Sequence, residues 1–212
     1  MAGSRFLDRV DAGRQLARVL LHHRGTGALV LGLPRGGVPV AAEVADALEA
    51  ELDVLVVRKL GVPGHEELAM GAVAGGGLRV LNPDVVSRLG LRDSVVEAVT
   101  QQAAAVVAER ERSYRGDRPP LALRGRRVLL VDDGLATGAT MRVAVRAVTG
   151  GAASPVVVAV PVAPPSACEG LRALADEVVC LHTPSSFLAV GAWYDDFSET
   201  PDDEVRSLLG ER

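Results

Sequence analysis

Residues 128–140 read VLLVDDGLATGAT, four apolar residues, two acids and a loop of small residues that ends in hydroxyls. A short Val/Leu run bounded by turn residues is the pattern of a strand buried on both faces of a parallel sheet. The stretch behind it, GATMRVAVRAVTGG, has helical spacing and closes on glycines, as helices often do. Strand, tight turn and helix therefore follow one another directly. In an open α/β sheet ligands bind outside the carboxyl ends of the strands, which places Asp132 and Asp133 at the ligand edge. Gly134 and Gly138 let main-chain amides converge along Leu135, Ala136, Thr137, Ala139 and Thr140. The helix start adds partial positive charge, and the two threonines add donors, so the loop suits a phosphate without a lysine. It is not a nucleotide P-loop, because three residues separate the glycines and no lysine follows. Paired carboxylates only accept, which matches vicinal hydroxyls or the water shell of Mg²⁺. A ribose bearing a 5-phosphate satisfies both ends. The plain alternative is a strand–turn–helix with a threonine cap and solvated aspartates.

Outward from this stretch, strand and helix patterns alternate. Residues ~8–24 read as a helix, GALVLGL (27–33) as a buried strand, VPVAAEVADALEAE as a helix and DVLVVRK (53–59) as a second buried strand. Residues 60–77 hold six glycines and predict a long loop or mobile hairpin. Val95, Val99, Ala103 and Val106 recur at helical steps, predicting a helix over 92–114. SPVVVAVPV and DEVVCLHT read as strands around a short helix near 165–175, and PDDEVRSLLGER as a final helix begun by Pro201. Parallel neighbours need crossovers, so the expectation is a doubly wound, mainly parallel α/β sheet in a single unit over 1–212, with a core at about 27–181.

Composition sets the exclusions. In 212 residues with 48% apolar content there is enough to bury a core, but aromatics are only 3%, so Val, Leu and Ala must fill it. A net charge of −4 gives no electrostatic case for nucleic acid or an anionic membrane. Cys168 and Cys180 form no metal or redox motif and suggest a reduced, cytoplasmic protein. The N-terminus carries charge where a signal peptide needs an apolar run, and the most apolar stretch, around 155–163, is short and broken by prolines. His22-His23 close a helix with no nearby carboxylate or third ligand in sequence, and His182 stands alone after a strand.

The 128–140 stretch resembles the signature of the type I phosphoribosyltransferases: apolar strand, two acids, and a small-residue loop ending in Thr-Gly-x-Thr. The resemblance runs from ~27 to ~197. It implies that Asp132 and Asp133 hold the ribose hydroxyls of phosphoribosyl pyrophosphate (PRPP) and that residues 135–140 hold its 5-phosphate. GLPRGGVPVA (32–41) is similar to the family's pyrophosphate loop, implying that role for Arg35, Gly36 and Gly37. Arg58-Lys59 is similar to the Arg-Lys that precedes the family's flexible loop. That loop closes to exclude water, although here its tip offers His65, Glu66 and Glu67 rather than basic residues. The resemblance therefore gives Asp132, Asp133, Arg35 and Lys59 catalytic roles. FLAVGAWYDDF (187–197) resembles the C-terminal hood of purine-type members, here about 182–199. Phe187, Trp193 and Tyr194 are candidates to stack on a base, and Asp195 stands where such hoods carry a metal-reaching acid. With Asp132 and Asp133, through water, it would serve Mg²⁺. Ala136 replaces the Asp of 6-oxopurine enzymes, as in adenine- and orotate-type members.

The implied activity is transfer of ribose 5-phosphate to a purine or pyrimidine nitrogen with release of pyrophosphate. Its partners would be PRPP, a base and a second copy of the chain. Two rivals stand beside it. One is a PRPP sensor on the same fold with no turnover. The other is a different sugar-phosphate-binding α/β protein that uses the two acids for metal alone.

Overall fold

The computed structural model describes residues 5–210, apart from the side chain of Glu67, so both ends of the expected 1–212 unit lie outside the described residues. In chain order the elements begin α1 (Arg9–Val19), β1 (Leu29–Gly32), α2 (Gly37–Leu48), β2 (Glu51–Val54), β3 (Val57–Val62), β4 (His65–Ala74) and β5 (Leu78–Leu81). They continue α3 (Pro83–Arg88), α4 (Asp93–Arg115), β6 (Val128–Val131), α5 (Ala139–Gly150), β7 (Val156–Val162), α6 (Pro165–Arg172), β8 (Glu177–His182) and α7 (Asp202–Gly210).

Five strands form a parallel sheet in the order β2-β1-β6-β7-β8. Successive residues of a strand point to opposite faces, and the core divides accordingly. Leu29, Leu31, Val128, Leu130, Val156 and Val158 pack with residues of α5 and α6, while Val30, Leu129, Val131 and Val157 pack with α1 and α2. Helices on both faces make the sheet doubly wound. The winding reverses between β1 and β6: one leads out to β2, the other to β7 and β8. That switch point is where a crevice opens at the strands' carboxyl ends. On the α1/α2 face, Gly13 is required because a Cβ there would meet the Val40 carbonyl of α2 at 2.9 Å.

Against the expected pattern, the structure adds detail and differs at several points. The run 53–59 is not one strand. β2 ends at Val54, buried residues Leu55 and Val56 carry the chain across, and Arg58-Lys59 falls inside β3 of a second sheet. Of the two expectations for residues 60–77, a hairpin is what forms: β3 and β4 pair antiparallel, and β5 adds a third strand in the order β3-β4-β5. Two of the glycines that read as loop formers are close-approach positions: a Cβ on Gly61 would lie 2.8 Å from the Glu66 carbonyl, and one on Gly71 2.5 Å from that of Val80. Helix α4 buries Val96, Thr100, Ala103 and Val107, a stripe one position along from the expected one, with Val95, Val99 and Val106 half-buried at its margin. Finally, α6 folds back on the strand that follows it and brings Cys168 and Cys180 together, their Cα atoms 7.3 Å apart.

Candidate functional site

Three segments meet at the switch point. The first is Pro34–Gly37, between β1 and α2, where the Pro34–Arg35 peptide is cis. The second is Asp132-Asp133 at the end of β6. The third is the loop 134–138, which feeds α5. Their approach depends on glycine. A Cβ on Gly37 would lie 2.8 Å from the Val131 carbonyl and 2.9 Å from Asp132 Cα, and one on Gly36 would run into the Asp133 carboxylate. Gly138 has φ +69°, a left-handed conformation that favours glycine, and its carbonyl accepts from the Arg142 amide to start the helix. Leu135 is buried and its amide donates to the Val162 carbonyl at 2.9 Å, which pins the base of the loop. Ala136, Thr137, Ala139 and Thr140 are exposed, and Thr137 Oγ1 accepts from the Ala139 amide. The loop is a pinned arch with a solvent-facing crown.

The two acids differ in their surroundings. Asp132 Oδ1 accepts from the Asp133 amide at 2.9 Å, yet burial and then the Asp133 charge push its carboxyl well above the usual carboxylate range. Asp133 is also raised by burial, against the pull of Arg9, whose Nε donates to Asp133 Oδ2 at 2.8 Å. Two neighbouring carboxylates that both resist ionisation are poised to receive a cation or hydroxyl donors.

Arg9 stands in α1, outside the segment that sequence reasoning connected with the site. It also donates to the Ser198 carbonyl at 2.6 Å, and its guanidinium lies 4.0 Å from the centre of the Phe197 ring. The N-terminal segment thus ties the hood to the acids. Phe6 exchanges backbone hydrogen bonds with Trp193 and Asp195, both 2.9 Å. Tyr194 is buried against Phe6 and Phe197, and its hydroxyl donates to the Asp133 carbonyl at 2.5 Å. Its ring is committed to packing. Trp193 stacks on His182 with centroids 5.8 Å apart, whereas Phe187 stays half-exposed in the segment before it. Asp195 is exposed and faces Arg5 at 3.7 Å.

The basic residues separate. Arg35 turns from the acids toward the C-terminal segment, forming an ion pair with Glu199 and lying 4.0 Å from Asp202. Lys59 lines a cavity of about 340 Å³ between the second sheet and α5, shared with Asn82, Thr140, Arg142 and Arg146. Arg58 lines a neighbouring cavity against α4. Arg142 was missed by sequence reasoning, which looked for a lysine after the loop. Its Nη1 donates to the Thr137 carbonyl at 2.9 Å, placing a cation beside the loop crown. Its place one turn into α5 was the available signal.

Residues 5–196 match a family model described as a phosphoribosyl transferase domain. The chain belongs to that family. Two Mycobacterium tuberculosis proteins, each named "Putative phosphoribosyl transferase", are 50% identical to this phosphoribosyl transferase chain over 204 residues, or 96% of it. The chain spans about half the length of these curated relatives, 46%. The crystal structure of TT1426 from Thermus thermophilus superposes with a TM-score of 0.89 at 48% identity, covering 98% of each chain. Purine phosphoribosyltransferase from Pyrococcus horikoshii shares the fold at 18% identity, with a TM-score of 0.50 over 91% of each chain.

Proposed function

We propose that this phosphoribosyl transferase domain moves ribose 5-phosphate from PRPP to a nitrogen of a purine or pyrimidine base, releasing pyrophosphate. The observation that carries the reading is the meeting of a carboxylate pair, a glycine-dependent turn and the solvent-facing crown of the 134–140 loop at one switch point. Asp132 and Asp133 accept from the ribose hydroxyls, while the crown from Leu135 to Thr140, with Arg142 beside it, holds the 5-phosphate. Gly36 and Gly37 let the turn approach the pyrophosphate closely, the Gly37 amide itself being held by the Leu33 carbonyl at 3.0 Å. Arg35 joins them by leaving Glu199, and Lys59 and Arg58 approach from β3. The nitrogen lone pair forms the C1–N bond as the C1–O electrons leave with pyrophosphate, inverting C1. The chain's part is positioning and charge placement.

The donor set fits Mg²⁺: two adjacent, half-buried, oxygen-only carboxylates whose mutual repulsion a divalent ion relieves. Asp132 and Asp133 would hold it through water, with Asp195 contributing from the hood. When bound, the ion neutralises charge on the leaving group. Phe187 and Trp193 keep ring surface for a base, whereas Tyr194 supports the acids from behind. The same reading places a homodimer in the cytoplasm. Consistent with it, no helix among the described residues is long and apolar enough to cross a membrane.

The test is incubation with Mg²⁺, PRPP and a panel of bases while pyrophosphate is followed. Release with one base or a few establishes the activity. PRPP binding without release for any base makes the protein a sensor. No PRPP binding, with tight binding of another phosphate and indifference to Arg35→Ala, makes it a different sugar-phosphate protein.

A further inference from the structure

At the amino end of the sheet, opposite the crevice, the turn after α1 brings His22 and His23 against Glu177, the first residue of β8. The sequence showed two histidines with no acid within reach, and the fold supplies one. His22 Nε2 lies 3.2 Å from Glu177 Oε1, and His23 Nε2 lies 3.2 Å from Glu177 Oε2. One ligand atom from each residue can be chosen so that all three lie within 4.8 Å of one another. Ligands ~2.0 Å from a tetrahedral Zn²⁺ stand about 3.3 Å apart, so modest closure by the exposed His22 and half-buried Glu177 side chains completes the geometry.

His23 supplies the independent observation. It is 3% exposed, and its Nε2 is a buried side-chain nitrogen with no hydrogen-bond partner: the approach to Glu177 has ion-pair distance without hydrogen-bond alignment. Buried polar atoms are rarely left so. On the other side of the ring, Arg127 Nη1 lies 3.3 Å from Nδ1. It donates there, so Nε2 carries the proton. Coordination through Nε2 requires that proton to move to Nδ1 and Arg127 to turn outward.

We propose that His22, His23 and Glu177 form a site for a divalent transition-metal ion of the Zn²⁺ type, with water in the fourth position. Two imidazoles and one carboxylate suit such an ion better than Mg²⁺. The ion fastens the end of α1 to edge strand β8. This inference is independent of the proposed activity.

The experiment is a calorimetric titration of chelator-stripped, untagged full-length protein with Zn²⁺, with Co²⁺ absorption as the coordination readout. About one equivalent should bind at micromolar Kd or tighter, and Co²⁺ should show the visible bands of a tetrahedral site. His22→Ala at an exposed position and Glu177→Gln at a half-buried one should each weaken binding at least tenfold. Arg127→Ala should tighten it severalfold, and Asp132→Asn should leave it unchanged. Absence of saturable binding overturns the proposal, as does binding that survives both His22→Ala and Glu177→Gln. Loss of binding on Asp132→Asn would assign the ion to the other site and overturn it equally.

Discussion

At the scale of single residues the site stores an electrostatic conflict. A carboxyl whose folded pKa is raised keeps its proton in the native state at a pH where the unfolded chain has lost it. Stability is therefore full below the unfolded value and falls as pH rises through the raised one. Asp132→Asn removes the conflict. The ligand-free variant should be more stable than wild type near neutral pH, because burial and the Asp133 charge oppose ionisation of the native carboxyl. The gain should shrink toward pH 4, and PRPP binding should be lost at every pH. Thermal melts across pH with calorimetry check both parts, and a variant less stable than wild type at pH 7 refutes the electrostatic account. Gly36 gives a steric counterpart. Its backbone (φ −62°) suits any residue, so only space forbids a side chain. Gly36→Ala drives a methyl into the Asp133–Arg9 pair, which should weaken PRPP binding by tenfold or more while melting changes modestly.

Among the elements, α4 is anchored by a charge that the site never uses. Arg115 in its last turn donates through Nε and Nη2 to both oxygens of Asp53 in β2 at 2.9 and 3.1 Å, with Glu111 3.1 Å away. Asp53 and Arg115 are both buried. Removing one partner of such a pair leaves the other desolvated, which typically costs about 3–5 kcal/mol. Asp53→Ala should show that loss in urea unfolding at neutral pH, and a cost below about 1 kcal/mol would mean water reaches the pair. The Arg35–Glu199 contact is a different kind of link, exposed and therefore weak. If it competes with pyrophosphate for Arg35, Glu199→Gln should tighten PRPP binding severalfold with no change in melting temperature. An unchanged or weaker affinity argues that Arg35 stays with the C-terminal segment throughout.

For the molecule as a whole, legibility followed sequence separation. The stretch 128–140 could be read because strand, acids and arch are contiguous, and the centre of the parallel sheet because β1, β6 and β7 are buried Val- and Leu-rich runs. The second sheet was hidden. Gly61 and Gly71 serve close strand approach, but in sequence they are indistinguishable from loop glycines. Arg9 was hidden more deeply, since its partner Asp133 is 124 residues away and no periodicity reports such a meeting. The hood's aromatic cluster was legible, but the division of labour within it was not, because burial of Tyr194 depends on Phe6 from the far end of the chain. That same long-range strap predicts how ligand and stability are coupled. Arg9 joins α1, Asp133 and the hood through Ser198 and Phe197, so occupancy of the crevice should protect all three together. A ligand at a hundredfold its Kd stabilises the native state by about 2.7 kcal/mol. With PRPP and Mg²⁺ present, amide exchange should slow at residues 6–12 and 190–198 as well as in the 134–140 loop. In Arg9→Ala the loop should still be protected, but the N-terminal and hood segments should lose their share. Protection confined to the loop in the wild type would show that the strap packs the molecule without sensing the site.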